Sequence, residues 1–180
     1  MILCTDLKSE RRELPLAMPP HYPIRDMLEI LRWLDVEHSP RYQPGDGSTW
    51  CNVFACDVAA CWGAVLPHWI TSDQAPALPY RGRELTANAT VRWLRLHGQR
   101  YGWGPVSRPA DYDAEAFVIG IWESPRGQHG HVAVVRPGPA RDDGPWIAQA
   151  GARCFSAGVV AEGFGRAVPE WWRWTKSASA

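Results

Sequence analysis

The sequence predicts an α+β domain in which N-terminal helices pack on one side of a small antiparallel sheet. Apolar residues recur at helical spacing between residues 24 and 62, in segments separated by proline- and glycine-rich loops. After residue 116, three short apolar runs follow one another with turn residues between them. Runs of this kind, arriving after the helices and not alternating with them, are typical of an antiparallel meander.

The length and charge of the chain limit what it can be. At 180 residues it suits one domain with a substantial core, and we assign residues 24–180 to that domain and residues 1–23, polar and proline-rich, to an extension. The 19 basic and 19 acidic residues balance to a net charge of +0. This balance argues against binding to nucleic acid or to a membrane surface.

The N-terminus carries no apolar stretch long enough for a secretory signal, because charged residues begin at Asp6. No apolar run approaches the roughly 20 residues of a membrane-spanning helix. We therefore expect a soluble chain made in the cytoplasm without membrane insertion. If it acts outside the cell, it leaves by lysis or by export that reads no N-terminal signal.

Three helices are predicted in the first part of the chain. The first covers residues 24–36, and a loop over 38–47 separates it from the second, which begins at Cys51 and ends at Trp62 before Gly63. Ser48 and Thr49 are the expected N-caps of the second helix. Residues 66–84 are expected to form a loop. The third helix covers residues 89–97, with Asn88 as its N-cap.

The strands are predicted in the second part. Residues 101–105 read as a turn with exposed aromatics, and residues 111–116 as a single helical turn. Apolar, β-branched runs then predict strands over 117–122, 131–136 and 145–150. Beyond residue 151 we expect a short strand or turn and a tail that frays after Thr175.

Cys51 is the strongest candidate for a catalytic residue. The start of a helix leaves backbone N–H groups unpaired and carries partial positive charge, which favours a thiolate and lowers the pKa of a thiol below about 8.5. The same N–H groups can hold a developing oxyanion. The alternative is a small core residue, because free cysteine is among the most buried residue types.

The other cysteines do not suggest a metal site. Cys56 and Cys61 follow Cys51 at intervals of five residues, and each interval turns the side chain about 140° further round the helix. Because a metal needs convergent ligands, these two are interpreted as packing residues. Five cysteines is an odd count, so at least one thiol is unpaired within the chain. Whether Cys4 and Cys154 pair is left open.

His131 is the preferred general base. It opens a predicted strand, which holds a side chain more rigidly than the turn that carries the competing His129. Gln149, the polar residue in an otherwise apolar strand, is the candidate for orienting the imidazole through a hydrogen bond that fixes one tautomer. The alternative for Gln149 is an ordinary strand residue facing solvent.

Together the motifs TWCNVFACDVA and GHVAVV, followed by a strand with one central polar residue, resemble the NlpC/P60 and CHAP cysteine peptidoglycan hydrolases over residues 40–151. The resemblance implies a papain-like fold, with Cys51 as nucleophile, His131 as base and Gln149 in the third position. It makes Tyr42, together with the Cys51 amide, the nearest candidate for stabilising the oxyanion. Candidate substrate-binding residues are Trp50, Asn52, Trp69, Trp103 and His129.

The implied reaction is hydrolysis of an amide bond in peptidoglycan through a thioester, by a stem-peptide endopeptidase or an N-acetylmuramoyl-L-alanine amidase. It requires no metal and no organic cofactor. The substrate partner is peptidoglycan or a muropeptide, with a cognate immunity protein added if the chain is an antibacterial effector. The alternatives are a phage lysin, a cysteine protease or deamidase acting on proteins, and a catalytically dead wall-binding domain.

Overall fold

A computed structural model describes residues 22–45, 47–109, 113–125, 129–139 and 141–175. Within these ranges the chain is a mixed α+β structure with antiparallel sheets, as predicted. Its helices are α1 (Met27–Leu34), α2 (Cys51–Trp62), α3 (Ala87–His97) and α4 (Val160–Phe164), and a 3-10 turn at Gly98–Tyr101 follows α3. The predicted extension over residues 1–23 falls mostly outside the described residues.

The strands form two sheets. The smaller has the order β2-β1-β3 and consists of β1 (Trp69–Ile70), β2 (Pro76–Ala77) and β3 (Arg83–Glu84). The larger has the order β4-β9-β5-β6-β7-β8. Its strands are β4 (Trp103–Val106), β5 (Phe117–Trp122), β6 (His131–Arg136), β7 (Trp146–Ala150), β8 (Cys154–Val159) and β9 (Glu170–Trp174).

The predicted bounds of α2 are confirmed, and Gly63 ends it in the left-handed conformation. Helix α1 is shorter than the predicted 24–36 because Asp26 caps its start and Asp35 adopts a left-handed conformation at its end. Asn88 is not the N-cap of α3. The helix begins two residues earlier than predicted, where the side chain of Thr86 accepts a hydrogen bond from the amide of Ala89.

The predicted meander is confirmed: β5, β6 and β7 pair antiparallel in chain order. Two predictions were wrong. Residues 66–84 are not a loop throughout, because they contain the three strands of the small sheet. Residues 101–105 are not simply a turn, because Trp103 begins β4 and pairs with Trp174 at the far end of the chain. The C-terminal part is also more regular than expected, with β8, α4 and β9. The predicted helical turn over 111–116 lies partly outside the described residues.

The larger sheet has a hydrophobic cluster on each face. Helices α1, α2 and α3 pack with the first face, whose strand residues include Phe117, Ile119, Ile121, Val132, Val134 and Ala148. The second face packs beneath α4 and includes Val118, Ala133, Val135, Ile147, Phe155 and Phe164. The alternation of side chains along each strand therefore sends consecutive residues into different cores.

A buried polar network fixes the loop before α2 to the middle of that helix. The guanidinium of Arg41 donates to both carboxylate oxygens of Asp57, at 2.6 and 3.1 Å, and the Tyr42 hydroxyl donates to the same carboxylate at 2.8 Å. Removing one member of such a pair leaves a buried group unpaired, so the network specifies where the loop must lie.

None of the described helices is both long and apolar enough to cross a lipid bilayer.

Candidate active site

Cys51 is the first residue of α2, and its side chain is 5% exposed. The predicted caps were wrong: Trp50 occupies the N-cap position, and no side chain among the described residues caps the helix. Ser48 instead forms an isolated β-bridge with Gly45. The amides of the first turn are therefore not taken up by a capping side chain. The N–H groups of Cys51 and Asn52 both approach the Cys51 sulfur.

A cavity of about 370 Å³ opens beside Cys51. Of the predicted substrate-binding residues, it brings together Trp50, Asn52 and His129 around the cysteine. The start of α2 and the residues just before β6 therefore line the same cavity. Other residues on the cavity wall are Ser48, Thr49, Glu84, Thr86, Asn88 and Gly130.

His131 and Gln149 form a direct hydrogen bond. Imidazole Nε2 lies 2.5 Å from the side-chain oxygen of Gln149, whose amide nitrogen donates to the carbonyl of Arg153 at 3.1 Å. Because that oxygen can only accept, Nε2 carries the proton and Nδ1 is left as the basic nitrogen. Gln149 is 4% exposed, so the alternative of a solvent-facing strand residue is wrong.

The surroundings of His131 hold the ring in place. The ring of Phe164 meets the imidazole edge to face, with centroids 5.1 Å apart. A Cβ atom at Gly163 would lie 2.7 Å from the Gln149 oxygen, so only glycine lets α4 approach this closely. Burial lowers the pKa of His131, the hydrogen bond that its Nε2 donates to Gln149 partly opposes this, and the imidazole is neutral at pH 7.

Cys51 and His131 approach the same backbone segment from different sides. The N–H of Val132 approaches the Cys51 sulfur, and Val132 belongs to the core cluster that contains α2. His131 alternates with Val132 along β6 and contacts Phe164 of the second cluster. Among the described residues there is no hydrogen bond between the Cys51 sulfur and the imidazole. The sulfur is therefore next to the strand that carries His131, but the two side chains are not joined.

The expected low pKa of Cys51 was wrong. Burial raises the pKa of this thiol, and the N–H groups of Val132, Asn52 and Cys51 itself only partly oppose that effect. The sequence shows that the residue starts a helix but not that the surrounding core removes it from water. At pH 7 the group is a neutral thiol beside a strand that carries a neutral imidazole.

The raised pKa predicts how Cys51 reacts with iodoacetamide. Only the thiolate is alkylated, and a raised pKa postpones its formation to higher pH. We expect the rate at pH 7 to lie below that of a free cysteine and to keep rising beyond pH 9, where an ordinary thiol levels off. The measurement is mass spectrometry over pH 6–10 after chymotryptic cleavage at Trp50 and Phe54, which separates Cys51 from Cys56 so that both thiols are followed in parallel. A rate already on its plateau at pH 7 would contradict the assignment.

Two predicted residues are placed away from the cavity. Tyr42 is 1% exposed, and its hydroxyl donates to Asp57 in the middle of α2 and not to the start of the helix. Trp103 is not an exposed substrate-binding residue: it is 1% exposed, packs against Phe117 and donates from Nε1 to the carbonyl of Val65. Both side chains are buried in the core, so neither can contact a substrate at Cys51.

Trp69 lines a different groove, of about 360 Å³, that also includes Cys56 and His68. Its ring lies 5.2 Å from that of Tyr80. His68 connects this groove to the cavity beside Cys51. Its Nε2 is 3.2 Å from the amide nitrogen of Asn52 and 3.1 Å from a carboxylate oxygen of Glu84.

The sequence reasoning missed Glu84 and the true position of Asn88. Glu84 ends a two-residue strand that carries no periodicity, so nothing local marks it. The side chain of Asn88 accepts from the amide of Ser124 at 2.9 Å, which holds the residues just after β5 against α3. A Cβ at Gly130 would lie 2.3 Å from the Asn88 oxygen, so this contact requires glycine. Gly130, directly before His131, was the one sequence signal of this close contact with Asn88.

Known proteins do not assign this site. A scan against models of protein families and a search of curated proteins found no match. Within the described residues, no group of three or more histidine, cysteine, aspartate and glutamate side chains is arranged to hold a metal ion. Cys51, the His131–Gln149 pair and the cavity are the features of this site that can carry chemistry.

Proposed function

We propose that the protein is a cysteine hydrolase that cleaves an amide bond in peptidoglycan, either within the stem peptide or between muramic acid and L-alanine. The papain-like fold implied by the resemblance of TWCNVFACDVA and GHVAVV to NlpC/P60 and CHAP enzymes belongs to the same proposal. The coarser fold, helices on an antiparallel sheet, supports it.

One observation carries the proposal: the hydrogen bond between His131 Nε2 and the buried side chain of Gln149. It fixes the tautomer that leaves Nδ1 basic, on a strand whose next residue, Val132, points its N–H at the Cys51 sulfur. A buried glutamine placed in this way does for the imidazole what the third member of a catalytic triad does. It adds no negative charge, so the imidazole stays neutral at rest.

The first half-reaction forms a thioester. His131 Nδ1 takes the proton of the Cys51 thiol as the sulfur attacks the carbonyl carbon of the scissile amide. The oxygen becomes an oxyanion, and the N–H groups of Cys51 and Asn52, unoccupied by a capping side chain, donate to it. The imidazolium then gives its proton to the leaving amine, and the carbon–nitrogen bond breaks.

The second half-reaction restores the enzyme. His131 takes a proton from water, which attacks the thioester carbonyl. The carbon–sulfur bond breaks, the sulfur recovers its proton from the imidazolium, and the product leaves as a carboxylic acid that loses its proton to water. In this proposal Nδ1 is the nitrogen that transfers protons, because Nε2 is bonded to Gln149 in the structure.

The thiol and the imidazole lie toward different faces of β6, so the proposed proton transfer requires them to be brought together when substrate binds. Catalytic hydrogen bonds are often long or misaligned in a free enzyme and tighten when substrate binds. The raised pKa of the Cys51 thiol and its separation from the imidazole favour a second candidate, a wall-binding domain without catalytic activity. In that case wall binding would not depend on the Cys51 sulfur.

Digestion of purified peptidoglycan tests the function. We expect the wild-type protein to release muropeptides with one new primary amine and one new carboxylate, the products of amide hydrolysis. Mass spectrometry of the soluble fragments identifies which bond is cleaved and so separates endopeptidase from amidase. Binding to peptidoglycan with no new amine would reject the hydrolase and leave the wall-binding domain. Cleavage of protein substrates alone would indicate a protease or deamidase.

A further inference from the structure

The cavity beside Cys51 is suited to a positive charge. Apart from the cysteine, its ionisable lining residues among those described are Glu84 and His129, so it has one carboxylate. The hydroxyls of Ser48, Thr49 and Thr86 lie on the same wall and can each accept a hydrogen bond. No lysine or arginine lines the cavity in the described part of the chain.

Glu84 is held in place by a histidine, and no lysine or arginine pairs with it among the described residues. Its side chain is 40% exposed, and one carboxylate oxygen contacts Nε2 of His68, whose side chain is 13% exposed. Because an ionised carboxylate can only accept, we assign the Nε2 proton of His68 to the bond with Glu84. The second carboxylate oxygen has no hydrogen-bond partner among the described residues.

We propose that Glu84 binds a primary ammonium group of the substrate, so that the preferred substrate is an amide with a free amine close to the scissile bond. This inference rests on the proposed function of Cys51 and specifies its substrate. An ammonium group has three donors and no acceptor, which matches one carboxylate oxygen and neighbouring hydroxyls. The stem peptide of peptidoglycan, with its diamino acid, has such a group.

The test compares two substrates and two variants. The substrates are a synthetic stem peptide containing lysine and the same peptide acetylated on the lysine Nζ. For the free amine, Glu84→Gln should raise KM by about 10- to 100-fold, the loss expected for one charge-assisted hydrogen bond, with kcat changed little. For the acetylated peptide, the wild-type enzyme and Glu84→Gln should behave alike. Glu29→Gln, an exposed change on α1, is the matched control.

A binding measurement separates this inference from the proposed function. Calorimetry with Cys51→Ala, and with the same protein carrying Glu84→Gln, reports affinity for both peptides without hydrolysis. Amine-selective binding that is lost in Glu84→Gln supports the subsite even if peptidoglycan is never cleaved. If neither the KM nor the affinity changes on acetylation of the lysine or in Glu84→Gln, the ammonium subsite is wrong, while the hydrolase proposal still stands. Circular dichroism shows that each variant is folded.

Discussion

Replacing Cys51 with alanine is expected to reduce the release of amines from peptidoglycan by at least about 10³-fold, because the reaction loses its nucleophile and no other group can form the thioester. The residual rate reflects binding and oxyanion stabilisation alone. The fold should survive, since alanine fits at the start of α2 and removes one small side chain from the core. Amine release and thermal unfolding are measured on the same preparations.

Cys56→Ala is the matched control for this prediction. It removes a thiol from the same helix, and Cys56 lines the neighbouring groove and not the cavity beside Cys51. Its activity should stay within a few-fold of the wild type. If Cys51→Ala retains wild-type activity, the sulfur is not the nucleophile and the proposed mechanism is wrong.

Replacing His131 with alanine is expected to lower kcat by about 10²- to 10⁴-fold, the usual contribution of a general acid–base. The change removes the only acceptor proposed for the thiol proton and the only donor proposed for the leaving amine. KM should change little, because a general acid–base acts in the transition state and contributes little to binding of the ground-state substrate. The measurement is the rate of hydrolysis of a soluble stem peptide at saturating concentration.

His129→Ala is compared with it directly. His129 is exposed and lines the cavity with Cys51, whereas His131 is bonded to Gln149. We expect His129→Ala to affect KM more than kcat. The opposite pattern, with kcat lost in His129→Ala and kept in His131→Ala, would transfer the role of base to His129 and leave the His131–Gln149 pair with a structural role.

Much of the architecture follows from local sequence signals. The bounds of α2 were predictable because turn residues stand on both sides of its apolar segment. Strands β5, β6 and β7 were predictable because each is a short, strongly apolar run between turn residues. The hydrogen bond between His131 and Gln149 was predicted from the same reasoning. It followed from placing two polar residues on neighbouring strands of one meander.

What could not be predicted depends on contacts between distant parts of the chain. Trp103 looked exposed between two glycines, but β4 pairs with β9 and buries it. The small sheet was missed because strands of two residues carry no periodicity. Asn88 has the right side chain for a helix cap, but that side chain accepts a hydrogen bond from the amide of Ser124 instead.

The direction predicted for the Cys51 pKa shift was wrong. A helix start lowers the pKa of a thiol and burial raises it, and only the first of these can be read from sequence. In the folded chain burial dominates. The sequence could therefore identify Cys51 and its neighbours, but not the protonation state of the Cys51 thiol in the free protein.

The most direct test of the claim that Cys51 acts as a nucleophile is intact-mass spectrometry of the protein during turnover of a soluble stem peptide, after rapid acid quenching. A covalent adduct with the mass of the acyl fragment should appear, map to the Cys51 peptide and be absent from Cys51→Ala. Hydrolysis that proceeds at the wild-type rate with no such adduct, or an adduct that persists in Cys51→Ala, would contradict the mechanism.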